Sequence, residues 1–237
     1  MLGLLGHTAD ELGKTKQAIE AYEACIRVMG AEKAGPEVTG GLGAIYLRLG
    51  DRDAGIRWLR QAQGPLSMTT APATALLANA LASRGELTAA VDALQAVVPA
   101  QGTGYYSHEA SLVSFTLAVV FDRDEQRTAA FDVLDHMKSA LQQQFGTQMQ
   151  NVIALTRFSP AEDQHYYLGL LYEALDQYTE ARAEWALYAA SGETPWRARA
   201  LDHIHAIDVL RKARPVVAPA PKNAKQKPPP IVTVPPP

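Results

Sequence analysis

The stretch Ala161-Glu-Asp-Gln-His-Tyr-Tyr-Leu-Gly-Leu-Leu-Tyr172, running on through Glu-Ala-Leu-Asp-Gln-Tyr-Thr-Glu-Ala-Arg-Ala-Glu-Trp185, decides the fold. It places Leu168-Gly169, Tyr172, Tyr178, Ala181 and Trp185 in the spacing Leu-Gly-x2-Tyr-x8-Ala-x3-aromatic. The same frame occurs at Leu5-Gly6, Ala9, Gly13, Ala18, Tyr22 and Cys25, and again at Leu42-Gly43, Tyr46, Gly50, Gly55, Leu59 and Ala62. Two further copies are Leu77-Ala78, Leu81, Gly85, Ala90, Leu94 and Val97, then Leu117-Ala118, Phe121, Ala130, Leu134 and Met137. Each copy reads as two helices with a short break between them, and no alternating strand pattern competes. Gly6, Gly43, Ala78, Ala118 and Gly169 are expected where a second helix crosses the first, opposite Ala18, Gly55, Ala90, Ala130 and Ala181. Gly13, Gly50 and Gly85 fall at the break, where a helix C-terminus favours positive φ.

A helix pair of this kind cannot bury both faces alone, so the copies must stack. The frame resembles the tetratricopeptide repeat over roughly residues 1–190. It departs at Cys25, Met137 and Tyr188, which replace the usual late alanine, and at Glu125, which stands where the other turns carry glycine. The resemblance implies an all-α fold, a right-handed α-solenoid of antiparallel helix pairs. Repeats are expected near 1–30, 36–64, 71–99, 108–144 and 160–190, with an insertion at 145–159. Ser159-Pro160-Ala161-Glu162 reads as a capping box that starts the fifth repeat. Thr194-Pro195 opens a capping helix over 195–213, with Trp196, Ala200, Leu201, Ile204, Ile207 and Leu210 expected on its inner face. An array beginning in mid-frame at Leu2 and Leu5 reads as a piece of a longer protein.

Composition shifts at Pro215. Residues 215–237 hold nine of the fifteen prolines, three lysines and no acid. Removing those lysines from the total net charge of −3 leaves the preceding residues at −6. An acidic body argues against nucleic acid as a partner, since phosphate binding needs clustered Lys and Arg. The 214–237 tail reads as disordered or polyproline II, a linker or a ligand for a partner's groove. No apolar run is long enough to span a bilayer, and the N-terminal residues lack a signal peptide's basic region. The compartment stays open between cytoplasm and cell envelope. The alanine-rich composition suggests a bacterial chain, with cell-envelope, motility or secretion assembly as the alternative role.

Chemistry is scarce. Gly41-Leu42-Gly43 lacks the preceding strand and third glycine of a dinucleotide loop. His203 and His205 point away from each other on a helix; Asp202, His205 and Asp208 share a face that reads as solvated. Cys25 is one cysteine, at a packing position, so it neither bridges nor builds a zinc site. No nucleophile elbow, phosphate loop or zinc-protease motif occurs. The expectation is a non-enzyme without cofactor or metal.

The family resemblance places ligand contacts on the first helix of each repeat, two residues either side of the Leu–Gly pair. Those positions are Gly3 and His7, Gly40 and Ala44, Ala75 and Asn79, Phe115 and Val119, and Tyr166 and Leu170, with Leu112 alongside. None carries Lys or Arg, which disfavours an acidic-tail clamp. The first half of this groove is small and the second, through Leu112, Phe115, Val119, Tyr166 and Leu170, is apolar and aromatic. The expected function is therefore a scaffold that binds an apolar peptide or helix of a protein partner in its concave groove. The competing occupant is the insertion itself, through Met149, Ile153 and Phe158.

Overall fold

The computed structural model describes residues 1–98 and 107–213. The glycine- and tyrosine-rich segment 101–106 and the Pro-rich tail 214–237 lie outside them. In chain order the helices are α1 (Leu2–Glu11), α2 (Thr15–Met29), α3 (Ala31–Ala34), α4 (Pro36–Arg48), α5 (Arg52–Gln61), α6 (Thr70–Ser83) and α7 (Leu87–Gln95). They continue as α8 (His108–Arg123), α9 (Arg127–Leu141), α10 (Phe145–Leu155), α11 (Asp163–Ala174), α12 (Tyr178–Ser191) and α13 (Thr194–Ala213). A 3-10 turn, Gln142–Gln144, joins α9 to α10, and no strand occurs among the described residues.

Five hairpins, α1–α2, α4–α5, α6–α7, α8–α9 and α11–α12, stack through contacts among their first helices and between each second helix and the next first helix. The result is an all-α helical repeat solenoid. Its hairpins close where the sequence placed small residues. A Cβ on Gly6 would stand 2.5 Å from the Tyr22 ring, and one on Gly169 would stand 2.7 Å from Trp185. One on Gly43 would meet Leu59 at 2.6 Å and the Gly55 carbonyl at 3.1 Å. All five hairpin turns pass through the left-handed region: Gly13, Gly50 and Gly85 have φ of 69–83°, and Glu125 and Asp176 have φ of 58°. The turn geometry therefore persists where glycine is absent.

The fifth hairpin starts later than its capping box suggested. Residues 160–162 form a turn, closed by the Asp163 N–H donating to the Pro160 carbonyl (3.2 Å), and α11 begins at Asp163. Helix α10 is amphipathic and lies on α8 and α11, burying Phe145, Met149, Val152 and Ile153. Leu155, at the end of the helix, is exposed.

On α13 the buried stripe is Trp196, Ala200, His203 and Ile207, spaced 4, 3 and 4 as one helix face requires. Leu201 and Leu210 were expected inside but are exposed. Leu201 lies off that face. Leu210 lies where the 20-residue α13 overhangs the 14-residue α12 it packs on.

The array curls enough for distant elements to meet. Arg157, just after α10, pairs with Asp10 (3.6 Å) and Glu11 (3.5 Å) on α1. Glu193, between α12 and α13, accepts hydrogen bonds from Arg52 and Ser83.

Candidate functional site

The curl encloses a cavity of about 690 Å³ on the concave side. Its lining includes Gly40, Gly41 and Ala44 of α4 and Ala73 of α6, four small residues that leave the space open. His7, Asp10 and Glu11 of α1 line it too, as do Leu76 and Leu112, while residues 155–159 border it on the insertion side. Gly41 has a packing duty as well: a Cβ there would stand 2.7 Å from the Tyr22 hydroxyl. Burial, and secondarily the charges of Asp10 and Glu37, push the Tyr22 phenol up to about 12, so it stays a neutral hydrogen-bonding group at the wall.

The charged lining is largely paired within itself. Arg48 donates to Asp10, Arg157 bridges Asp10 and Glu11, and His7 lies 3.4 Å from Glu11. What a ligand meets is then an apolar bed of Leu76, Leu112 and Phe158, with a paired ionic border. Beyond the strap formed by residues 158–161 lies a second cavity of about 940 Å³, lined by the α4–α5 and α6–α7 turns and by Glu193. Arg48, Phe158 and Ser159 border both spaces, so the strap divides one groove into two.

Of the eleven positions singled out in the sequence as ligand contacts, His7, Gly40, Ala44 and Leu112 line the first cavity, Leu112 with only 3% of its surface exposed, and Gly3 does not. The other six do not form an open strip. Ala75, Asn79, Phe115, Val119, Tyr166 and Leu170 are all buried, Phe115 and Tyr166 with no exposed surface. Two packings close it: α10 lies on α8 and α11, with Phe158 edge-on against Tyr167 (4.8 Å), which also meets Phe115 (5.7 Å), and Tyr166 is turned toward α12, edge-on to Trp185 (4.8 Å) and Tyr188 (4.9 Å). The apolar half of the groove is filled by the chain's own side chains. Only the small-residue half is left open.

Asn79 shows what else lies beneath. Its amide donates to the Tyr167 hydroxyl (3.0 Å) and accepts from Arg123 (3.0 Å), which is itself paired with buried Asp163 at 2.5 Å. Tyr166 donates to Asp122 (2.7 Å). These residues belong to an internal ionic network that the repeat frame did not signal. Among the described residues no three His, Cys, Asp or Glu side chains are grouped to hold a metal ion. No helix among them is long and apolar enough to cross a membrane.

The family model described as tetratricopeptide repeat matches residues 1–28, which span α1 and α2. No curated protein sequence matches the chain. Among solved structures, the chain is similar to the one titled "Crystal structure of MamA protein", with a TM-score of 0.48 and 21% identity, over 81% of this chain and 94% of that one. The first hairpin is thus similar to the tetratricopeptide repeat, and four more hairpins stack on it in the same manner.

Proposed function

We propose that this protein is a non-enzymatic interaction scaffold that takes a short, extended, apolar segment of a protein partner into the open half of its concave groove. The observation that carries this is the 690 Å³ cavity beside Gly40, Gly41, Ala44 and Ala73. Its volume lies within the range of spaces that hold specific ligands. One turn of an α-helix with side chains, about 10–12 Å across and 5.4 Å in pitch, fills roughly 400–600 Å³. A partner helix would therefore place little more than one turn inside, whereas a few extended residues could put an apolar anchor on Leu76, Leu112 and Phe158. The small side chains of α4 allow a backbone to approach closely.

A library of extended apolar peptides, screened by fluorescence anisotropy against the whole chain, tests the proposal. Peptides selected on the wild-type protein should bind Ala44→Trp at least tenfold more weakly, because the indole occupies the cavity while the core is untouched. His7→Trp, at the border of the same space, serves as the second variant. Unchanged affinity in both variants, with melting curves like wild type, would refute the assignment.

A further inference from the structure

His203 is the buried polar residue in the stripe by which α13 packs on the array, and its ring has no exposed surface. Nε2 lies 2.8 Å from Asp122 Oδ2 on α8, and Nδ1 lies 2.5 Å from Glu173 Oε1 on α11. The ring also stacks on Trp185 of α12, with centroids 4.2 Å apart and planes 12° from parallel. A neutral imidazole carries one N–H and one lone pair. In this position its lone pair would face an ionised carboxylate oxygen at hydrogen-bond distance. Both contacts are satisfied together when the ring holds two protons.

The surroundings fix the carboxylates. Asp122 accepts from Arg199 of α13 (2.7 Å) as well as from Tyr166 of α11 (2.7 Å). Glu173 accepts from Trp185 Nε1 (2.7 Å) and from Arg127 of α9 (2.8 Å). Arg127 also approaches Nδ1 at 3.1 Å. Next to this group, Arg123 of α8 pairs with Asp163 of α11, and Tyr188 of α12 touches both. The charged groups thus come from α8, α9, α11 and α13, and the imidazolium is the link between the two carboxylates.

We propose that His203 is a proton-dependent latch: the doubly protonated ring holds α13 against the array, and losing one proton weakens that docking. Burial works against the charged ring, but the hydrogen bonds and charges of Asp122 and Glu173 outweigh it and raise the pKa above the ordinary 6.5. The direction of the linkage follows. With α13 docked the ring keeps its proton to higher pH than when released. The contribution to docking is complete below pH 6.5 and is lost as pH rises to the docked-state pKa. One proton changes the docking equilibrium tenfold per pH unit in that window, and beyond it the dependence is flat.

Ring nitrogen NMR of the full chain, combined with amide hydrogen exchange, tests the latch. At pH 6.5 both His203 nitrogens should give protonated signals, and the ring should titrate above the ordinary histidine value. Protection of α13 amides, taken relative to α4 amides that do not touch α13, should fall tenfold per pH unit above 6.5 and level off at the pKa read from the ring. Glu173→Gln and Asp122→Asn should each move that plateau at least one pH unit lower. A ring that is singly protonated at pH 6.5, accepting at Nδ1 from Arg127, would overturn the proposal. So would α13 protection that is flat with pH, or that falls in step with α4. The wild-type titration decides the matter even if a variant fails to fold.

Discussion

Gly169 and Gly40 both sit on the first helix of a hairpin, yet the same substitution should act on them in opposite directions. In either helix, replacing Gly by Ala recovers about 0.8–1 kcal/mol of backbone propensity. At Gly40 the added methyl would meet Ala73 Cβ at 3.4 Å and Ala62 Cβ at 3.6 Å, ordinary contact distances. Gly40→Ala should therefore stabilise the chain by about 0.5–1 kcal/mol. At Gly169 the methyl would stand 2.7 Å from two atoms of the Trp185 ring. That ring cannot retreat: it is fully buried, stacked on His203, edge-on to Tyr166 at 4.8 Å, and tied through Nε1 to Glu173. Overpacking of a fixed core costs about 1–3 kcal/mol, and breaking the Trp185–Glu173 hydrogen bond adds about 1.5–3 kcal/mol for a charged acceptor. After the propensity gain is credited, Gly169→Ala should lose roughly 1.5–5 kcal/mol. Urea unfolding followed by tryptophan fluorescence and circular dichroism measures both. A Gly169→Ala chain as stable as wild type would show that the hairpin does not close on glycine and would refute the packing logic.

Phe115→Ala should cost about 3–5 kcal/mol in the same assay, as for a core aromatic, because the insertion covers it; a loss below 1 kcal/mol would mean that the α10 cover is open in solution. The Arg157 bridge to α1 should be energetically minor, since Arg157 is 61% exposed. A double-mutant cycle of Arg157→Ala with Glu11→Ala should give a coupling under about 1 kcal/mol that shrinks further in salt.

The groove rests on one architectural choice, the placement of α10. A regular array would leave the inner faces of α8 and α11 open along with those of α4 and α6. Here Phe145, Met149, Val152 and Ile153 are buried by α10's packing, while Arg157 and Phe158 carry the chain across the concave side. The open space is confined to the early hairpins, where side chains are smallest. The far half of the solenoid is cored through, which allows charged groups such as Arg123 and Asp163 to be buried at all, because each has a partner within reach.

The sequence by itself determined the array. Gly6, Gly43 and Gly169, each followed at a fixed interval by a large residue on the next helix, specify hairpins through contacts within some 16 residues, and such local constraints are legible in one dimension. The left-handed turns at Gly13, Gly50 and Gly85 are legible for the same reason, and Gly40 and Ala44 announced open space by their size alone. Tertiary structure alone decided which half of the groove stays open, because the fate of residues 145–159 depends on what surface their apolar face finds after the repeats have stacked. It also decided the ionic core. Asp122, Glu173 and His203 lie on three helices separated by 30 to 81 residues, and a charged residue taken singly is most often solvent-facing. One trace of it was present in the chain: His203 falls in register with Trp196, Ala200 and Ile207 on the buried stripe of α13. That register placed the imidazole inside, but its two carboxylate partners come from chain far upstream and could be matched to it only by the folded geometry.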